Sequence, residues 1–441
     1  MIKISALDCV KCIKSGDSVY IQGGASVPHC LVDALTSRAD ELSNVKIYTS
    51  FTVDSSEVPY AKKEFINSFE AYTFFVSQNI RNAVQEGIAQ KIPCNLHEIP
   101  NLFREKHIPI DVVIINVSRP DKYGYCSYGI SSDITCAAIE STKIIVAPIN
   151  SRIPYVYGDS FIHISKIDYY VEYDELPTII RKRPISSIER SIAQYISNEI
   201  PNGSTLQIGI GGVPDALLAT LDGHKHLGLH SEAISDGVIE LIQKGIIDNS
   251  CKKIYPGISV ASIGFGSSNF YNFISNNRDL LFKDVSWVND PYIIGQNPEV
   301  ISINSALEID ITGQVCADSL GTNIYSSIGG QHDFVYGASI SKGGKSFIVL
   351  PSLTNRGESK IVYSLKDCAG VTISRFQIQY IVTEYGIANL SEKSLPQRAK
   401  LLIQLAHHEK REHLEKEAVK RYGISFFKTK VIIVKCHLFG S

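Results

Sequence analysis

Short runs of β-branched and aromatic residues recur through the first third of the chain, each closed by Gly, Pro, Asn or Ser. SVYIQ (18–22), VKIYTS (45–50), AYTFFV (71–76), VVIINVS (112–118) and KIIVAPIN (143–150) are nearly continuous in apolar character. Runs of this kind fit strands covered on both faces, as in a parallel sheet. Between them, HCLVDALTSRADELS (29–43) and FINSFEAY (65–72) place apolar residues three and four apart, the spacing of amphipathic helices. The pattern predicts α/β architecture.

The pattern breaks near Pro177 and Pro184, which flank the basic run Arg181-Lys182-Arg183. A helix is then expected from about Ser187, ending at Pro201-Asn202-Gly203, with the strand STLQIGI (204–210) after it. Further strands are expected at 253–266, 346–352, 371–375 and 380–386, and a long charged amphipathic helix region at 395–422. The two halves open alike, since SGDSVYIQGGASVPHCLVDAL (15–35) and NGSTLQIGIGGVPDALLATL (202–221) both run from strand through a glycine turn into a helix. A chain of 441 residues exceeds what one core usually organises. Two domains are expected, 1–186 and 187–441, each an open and mostly parallel sheet, with the active site between them at strand ends.

Composition narrows the function. With 44% hydrophobic and 20% charged residues and a formal charge of -2, the chain has an ordinary globular make-up and no global attraction to nucleic acid or anionic lipid. Nothing in it approaches the ~20 apolar residues of a membrane span, and the N-terminus has no signal-peptide pattern. The ten cysteines are scattered; the closest pair, Cys9 and Cys12, has no second pair to complete a metal site, so free thiols in a reducing cytoplasm are expected.

Three segments carry candidate chemistry. In LQIGIGGVPDALLATL a strand runs into Gly209-Ile210-Gly211-Gly212, where bare backbone approaches a ligand closely and the next helix offers free N–H groups to an anion. A dinucleotide fingerprint is incomplete here, because Pro214 stands at the third glycine position. In LHSEAISDGVIEL, Glu232 precedes a helix and is either a solvated helix-edge acid or a reactive carboxylate. In NSALEIDITGQVCADSLGTNIYSSIGGQHDF, Glu308 and Asp310 alternate on a strand and so share a face, and Gly329-Gly330 brings backbone amides to a loop, as an oxyanion hole requires. With no His cluster nearby, a structural role is expected for the Glu308–Asp310 pair rather than metal binding.

Taken in order, VSRPDKYGYCSYG (117–129), NSRIPYVYGDSFIHISKIDYYVE (150–172), LQIGIGGVPDAL (206–217), LHSEAISDGVIEL (229–241), NSALEIDITGQVCADSLG (304–321), IGGQHDF (328–334) and TEYGIANLSEKSLPQRAKLLIQLAH (383–407) resemble the acetyl-CoA hydrolase/transferase family from about Ser15 to Gly423. The resemblance implies the CoA-transferase type of fold and a cytoplasmic homo-oligomer, expected to be a dimer. It implies transfer of CoA from an acyl-CoA to a small carboxylate, without metal, through a thioester between CoA and a glutamate. In its motif that glutamate is Glu232. CoA contacts carry over to Gly209, Ile210, Gly211, Gly212, Val213, Ser326 and Gly330, with Ser326 departing from the asparagine frequent in the family. Arg119 stands where the family usually has proline, and would favour a dicarboxylate if it faced the pocket. Hydrolysis through the same glutamate, and CoA binding without catalysis, are the alternative functions. The chain after Gly423 matches no motif of the family.

Overall fold

The computed structural model describes residues 2–53, 56–429 and 431; Cys436 and the chain end beyond 431 lie outside the described residues. Two open sheets organise the chain. The first has eight strands, all paired in parallel, running across the sheet as Ile2–Lys3, Tyr169–Glu172, Ile144–Ile149, Val112–Ile114, Ser18–Ile21, Val45–Thr49, Phe69–Thr73 and Ala89–Lys91. Alternate side chains enter different cores: Val19, Ile21, Val112 and Ile114 join one cluster, whereas Tyr20, Val113 and Ile115 join another. Both faces are thus covered, which is why the strands read as unbroken apolar runs.

The second sheet has six strands in the order Gly228–Leu229, Thr205–Ile208, Val300–Ser305, Lys345–Val349, Tyr380–Thr383 and Gly386–Asn389. Only the last pair is antiparallel. In each sheet the strand that follows the opening helix is interior, and the chain winds first to one side of it and then to the other. The halves are further tied together. Tyr157–Gly158 from the first half pairs in parallel with Leu280–Phe282 of the second, and at Gly158 (φ +116°) any Cβ would strike the Phe282 backbone. Ion pairs Lys91–Asp318 (2.8 Å) and Arg104–Asp284 (2.6 Å) span the same junction.

Local differences from the sequence reading have identifiable causes. Residues 65–72 form no helix: a 3₁₀ turn at Lys63–Phe65 leads into the strand Phe69–Thr73, where Phe69, Ala71 and Thr73 are buried and Glu70 and Tyr72 half-buried, a period of two. The stretch 253–266 holds only Ser259–Ala261 and Ile263–Gly264, because Pro256-Gly257 turns the chain first. Residues 371–375 contribute a single bridge, Ile373 to Val315. The region 395–422 breaks at Ala406-His407 into Leu395–Leu405 and His408–Tyr422. The helix expected from Ser187 is Ser187–Ser197, started by a reciprocal cap between Ser186 and Glu189. The last helix, Ile424–Lys428, follows Gly423 and buries Phe426.

Candidate active site

The strand Thr205–Ile208 ends at the glycine loop, and its neighbour Val300–Ser305 ends at Asn304-Ser305. The chain winds away from this pair in opposite directions, and ligands in open α/β sheets bind at the carboxyl ends of such a pair. From the first sheet, Ser50 and Phe51 at the end of Val45–Thr49, and Phe74 and Phe75 at the end of Phe69–Thr73, face the same space. The two sets of strand ends enclose a cavity of about 330 Å³.

Glu232 lines this cavity and is held there by its neighbours in sequence. Ser231 Oγ donates to the carbonyls of Ala233 (2.8 Å) and Ile208 (3.0 Å) and accepts from Ile208 N (3.2 Å), fastening the Glu232 segment to the end of the Thr205–Ile208 strand. The Glu232 carbonyl accepts from Ser262 N and Ile263 N at 2.9 and 3.0 Å. His230 is buried, and its Nε2 donates to the Val288 carbonyl at 2.7 Å; burial pulls its pKa down to about 4, so the ring is neutral. The residue after Val288 is Asn289, whose Nδ2 donates to Glu232 Oε2 at 2.9 Å.

The carboxyl group of Glu232 is pushed up to about 7, first by burial and then by the negative charges of Asp333 and Asp133. Donation from Asn289 and from the Gly330 N–H opposes the shift. Asp133, a second buried carboxyl on the cavity wall, is pushed up to about 6 by burial, against donors that include Ser50 Oγ at 2.9 Å. Asp333 is fully buried and pairs with His97 Nδ1 at 2.7 Å, a bond that raises the histidine's pKa.

Gly330 presses its Cα against the carboxylate: a Cβ there would overlap Glu232 Oε2 and Asn289 Nδ2. Gly329 sits in the left-handed region (φ +54°), so the turn needs glycine for its backbone, while Gly330 (φ -89°) needs it for space. Ser326 also lines the cavity, as do Gly209 and Ile210. Gly211 and Gly212 instead line an adjoining cavity of about 320 Å³, which shares Ile210 and Phe265 with the first and is bordered by Arg181, Lys182 and Arg183. Val213 is buried and lines neither. The helix behind the glycine loop is a short one, Gly212–Leu218.

Glu308 and Asp310 lie off the cavity. Glu308 accepts from Lys366 N at 2.9 Å, and Asp310 is consumed by its own turn, accepting from Thr312 N, Thr312 Oγ1, Gln314 N and Gln314 Nε2. Arg119 is exposed and does not line the cavity, so the condition on which it favoured a dicarboxylate is not met. Asn289 and Asp133 carry no sequence signal: one caps the four-residue helix Val285–Val288, and the other precedes Thr135–Ser141 without a recognisable motif. The described residues include no group of three or more metal-ligating side chains and no helix long and apolar enough to cross a membrane.

Two α/β halves joined around a buried carboxylate define a fold of the CoA-transferase class. The chain belongs to the acetyl-CoA hydrolase/transferase family, whose N-terminal domain model matches residues 2–181 and whose C-terminal domain model matches residues 266–418. It is 45% identical over 417 residues to a succinyl-CoA:acetate/propanoyl-CoA:succinate CoA transferase of Fasciola hepatica, covering 93% of this chain and 86% of that one. To a 4-hydroxybutyrate coenzyme A transferase of Clostridium kluyveri it is 41% identical, over 95% of this chain and 97% of the relative. The crystal structure of a 4-hydroxybutyrate CoA-transferase from Porphyromonas gingivalis superposes with a TM-score of 0.82 at 36% identity, covering 95% of this chain and 98% of that one.

Proposed function

We propose that this CoA transferase moves coenzyme A from an acyl-CoA to a small carboxylate by ping-pong chemistry on Glu232. The observation that carries the reading is a carboxylate held by backbone on both sides and aimed into a cavity at the carboxyl ends of both sheets, with its pKa raised to about 7. A more basic carboxylate is a better nucleophile, provided it is ionised.

An oxygen of Glu232 attacks the thioester carbonyl of the donor; the C–S bond breaks, CoA leaves as thiolate, and a mixed anhydride links the acyl group to Glu232. The thiolate then attacks Cδ of Glu232, and the acyl group departs as a free carboxylate, leaving CoA on Glu232 as a thioester. An acceptor carboxylate attacks Cδ, and the same steps run in reverse to give the new acyl-CoA and the free glutamate. No net proton is gained or lost. When thiolate or acceptor attacks Cδ, negative charge develops on an oxygen of Glu232 itself, where Asn289 Nδ2 and the Gly330 N–H already stand. Preplaced donors of this kind are each worth ~100–1000-fold in rate.

Initial rates with both substrates varied test the reading: parallel double-reciprocal lines are expected, together with a loss on the order of 10⁴-fold or more in Glu232→Ala while the variant remains folded. Intersecting lines, or transfer surviving in that variant, would refute it. CoA release without acceptor at the rate of transfer would make the activity hydrolytic.

A further inference from the structure

Behind the donor that Glu232 uses stands a second carboxylate. Asn289 is fully buried, and its Nδ2 lies between two acids, 2.9 Å from Glu232 Oε2 and 3.5 Å from Asp333 Oδ2. Its side-chain carbonyl makes no hydrogen bond among the described residues, so the direction of the amide rests on those two acceptors. Asp333 is fully buried in the first turn of the helix Gln331–Ile340, which starts directly after Gly330. His97, from the 3₁₀ turn Leu96–Glu98 of the first half, completes the line: its Nδ1 lies 2.7 Å from Asp333 Oδ1, and its backbone N–H donates to Asp333 Oδ2 at 3.4 Å. The His97 side chain is 26% exposed, enough for its ring to exchange protons with solvent. A polar line, His97–Asp333–Asn289–Glu232, thus runs from the surface of one half to the nucleophile held by the other.

We propose, resting on the assignment of Glu232, that Asp333 and His97 are positioning residues for the transfer reaction. Asp333 turns the Asn289 amide nitrogen toward Glu232, and protonated His97 supplies the countercharge that Asp333 needs beside a second carboxylate. Without that charge, Glu232 would ionise against an uncompensated neighbour in a poorly screened space. The other charged and titratable groups nearby do not replace this arrangement. Glu98 caps its own turn through Asn95 and Asp290 accepts from Tyr292 N; both, like Asp333, favour the protonated form of His97. Arg104, on the helix that follows His97, is held by Glu140 and Asp284, and His332, beside Asp333 in sequence, bonds to Gln377. Burial pushes the Cys94 thiol up to about 12, so it stays neutral. On the Glu232 side, Asp133 only adds negative charge. Among the described residues, His97 is the one cation paired with Asp333.

The test follows the acyl-CoA half-reaction by stopped flow between pH 5 and 9 in the unmodified protein and in two variants. Asp333→Asn removes the negative charge beside Glu232, and the acid limb is expected to move down by ~1 pH unit. Its amide is also free to turn a nitrogen toward Asn289, so kcat on the plateau is expected ~10-fold lower with KM changing far less. His97→Asn keeps a donor where Nδ1 stands but loses the charge, and its acid limb is expected to move up by ~1 pH unit. A merely structural role lowers the rate at every pH and does not move the limb in opposite directions. Limbs that stay in place, or that move the same way in both variants, overturn the proposal, as does an unchanged plateau kcat in folded Asp333→Asn. The half-exposed His97 position keeps the test decisive if Asp333→Asn does not fold, because an unmoved limb in His97→Asn alone overturns the proposal. Failure of the Glu232 assignment shows separately, as transfer surviving in Glu232→Ala.

Discussion

Replacing Gly330 by alanine separates the space this glycine provides from any backbone role. The φ of -89° is ordinary for alanine, so the substitution brings no conformational strain. Its Cβ overlaps Glu232 Oε2 and Asn289 Nδ2 and stands 3.3 Å from Glu232 Cδ, closer than ordinary contact. Either the carboxylate swings away by ~1 Å or the Asn289 hydrogen bond opens. A displacement of that size costs ~100-fold through lost alignment, and the overpacking itself costs ~1–3 kcal/mol of stability. Gly329→Ala is the contrasting case: φ is +54° and its Cβ lies 3.2 Å from Phe75 Cε2 but 3.9 Å from Glu232 Oε1. Placing alanine in the left-handed region costs ~1–2 kcal/mol while the carboxylate stays in place. Transfer rates and denaturant unfolding of both variants give the assay. Gly330→Ala is expected to lose at least ~100-fold in kcat while remaining folded, and Gly329→Ala to lose proportionally more stability than rate. A Gly330→Ala enzyme with near-normal kcat would refute the claim that Glu232 works where the structure holds it.

The rate of the acyl-CoA half-reaction is expected to fall as pH drops through about 7, because the nucleophile must be ionised, with an acid limb well above the range of an ordinary glutamate; stopped-flow adduct formation between pH 5 and 9 checks this, and a limb near 4.5 would contradict it. The same shift has a stability consequence: between its unfolded value near 4.5 and about 7 the folded state binds the extra proton, so stability declines as pH rises through that window, by up to ~3 kcal/mol at pH 8. Glu232→Gln removes the ionising group and is expected to melt higher than the parent at pH 8 and to lose that advantage near pH 4; a lower melting point at pH 8 would contradict the burial argument. Asn289→Ala removes the donor to Oε2 and is expected to lose ~100–1000-fold in kcat with KM changing far less, read by steady-state kinetics; a pure KM effect would remove Asn289 from the chemistry.

Much of the frame was legible in the chain because a doubly covered parallel strand must be apolar on both faces. VKIYTS, VVIINVS and KIIVAPIN carry that constraint in most of their residues, and the strands Val45–Thr49, Val112–Ile114 and Ile144–Ile149 lie within them. FINSFEAY misled because Phe65, Phe69 and Tyr72 satisfy helical spacing by coincidence, whereas strand pairing with Val45–Thr49 decides the conformation. Glycine turns were legible as turns, yet only contact with Glu232 distinguishes Gly330, which needs space, from Gly329, which needs its φ. The electrostatic partners were not legible. Asp133 and Asn289 come to Glu232 from segments about 100 and 57 positions away, through the meeting of two sheets, and no local pattern encodes that meeting. Glu308 and Asp310 show the converse: strand alternation does put both indoors, and their hydrogen bonds to Lys366 N and to the Asp310 turn then occupy them.

The central claim is that one side chain carries CoA covalently, and the most direct measurement is peptide mapping after reaction with acyl-CoA in the absence of acceptor. Borohydride reduces a glutamyl thioester to the corresponding alcohol and leaves free carboxylates untouched. The modification is expected at Glu232, on the peptide containing HSEAISDG, in an amount that rises with acyl-CoA and disappears when a carboxylate acceptor is added with excess free CoA removed. Modification on the NSALEID peptide, or full transfer activity with no reducible adduct on any carboxylate, would contradict the account.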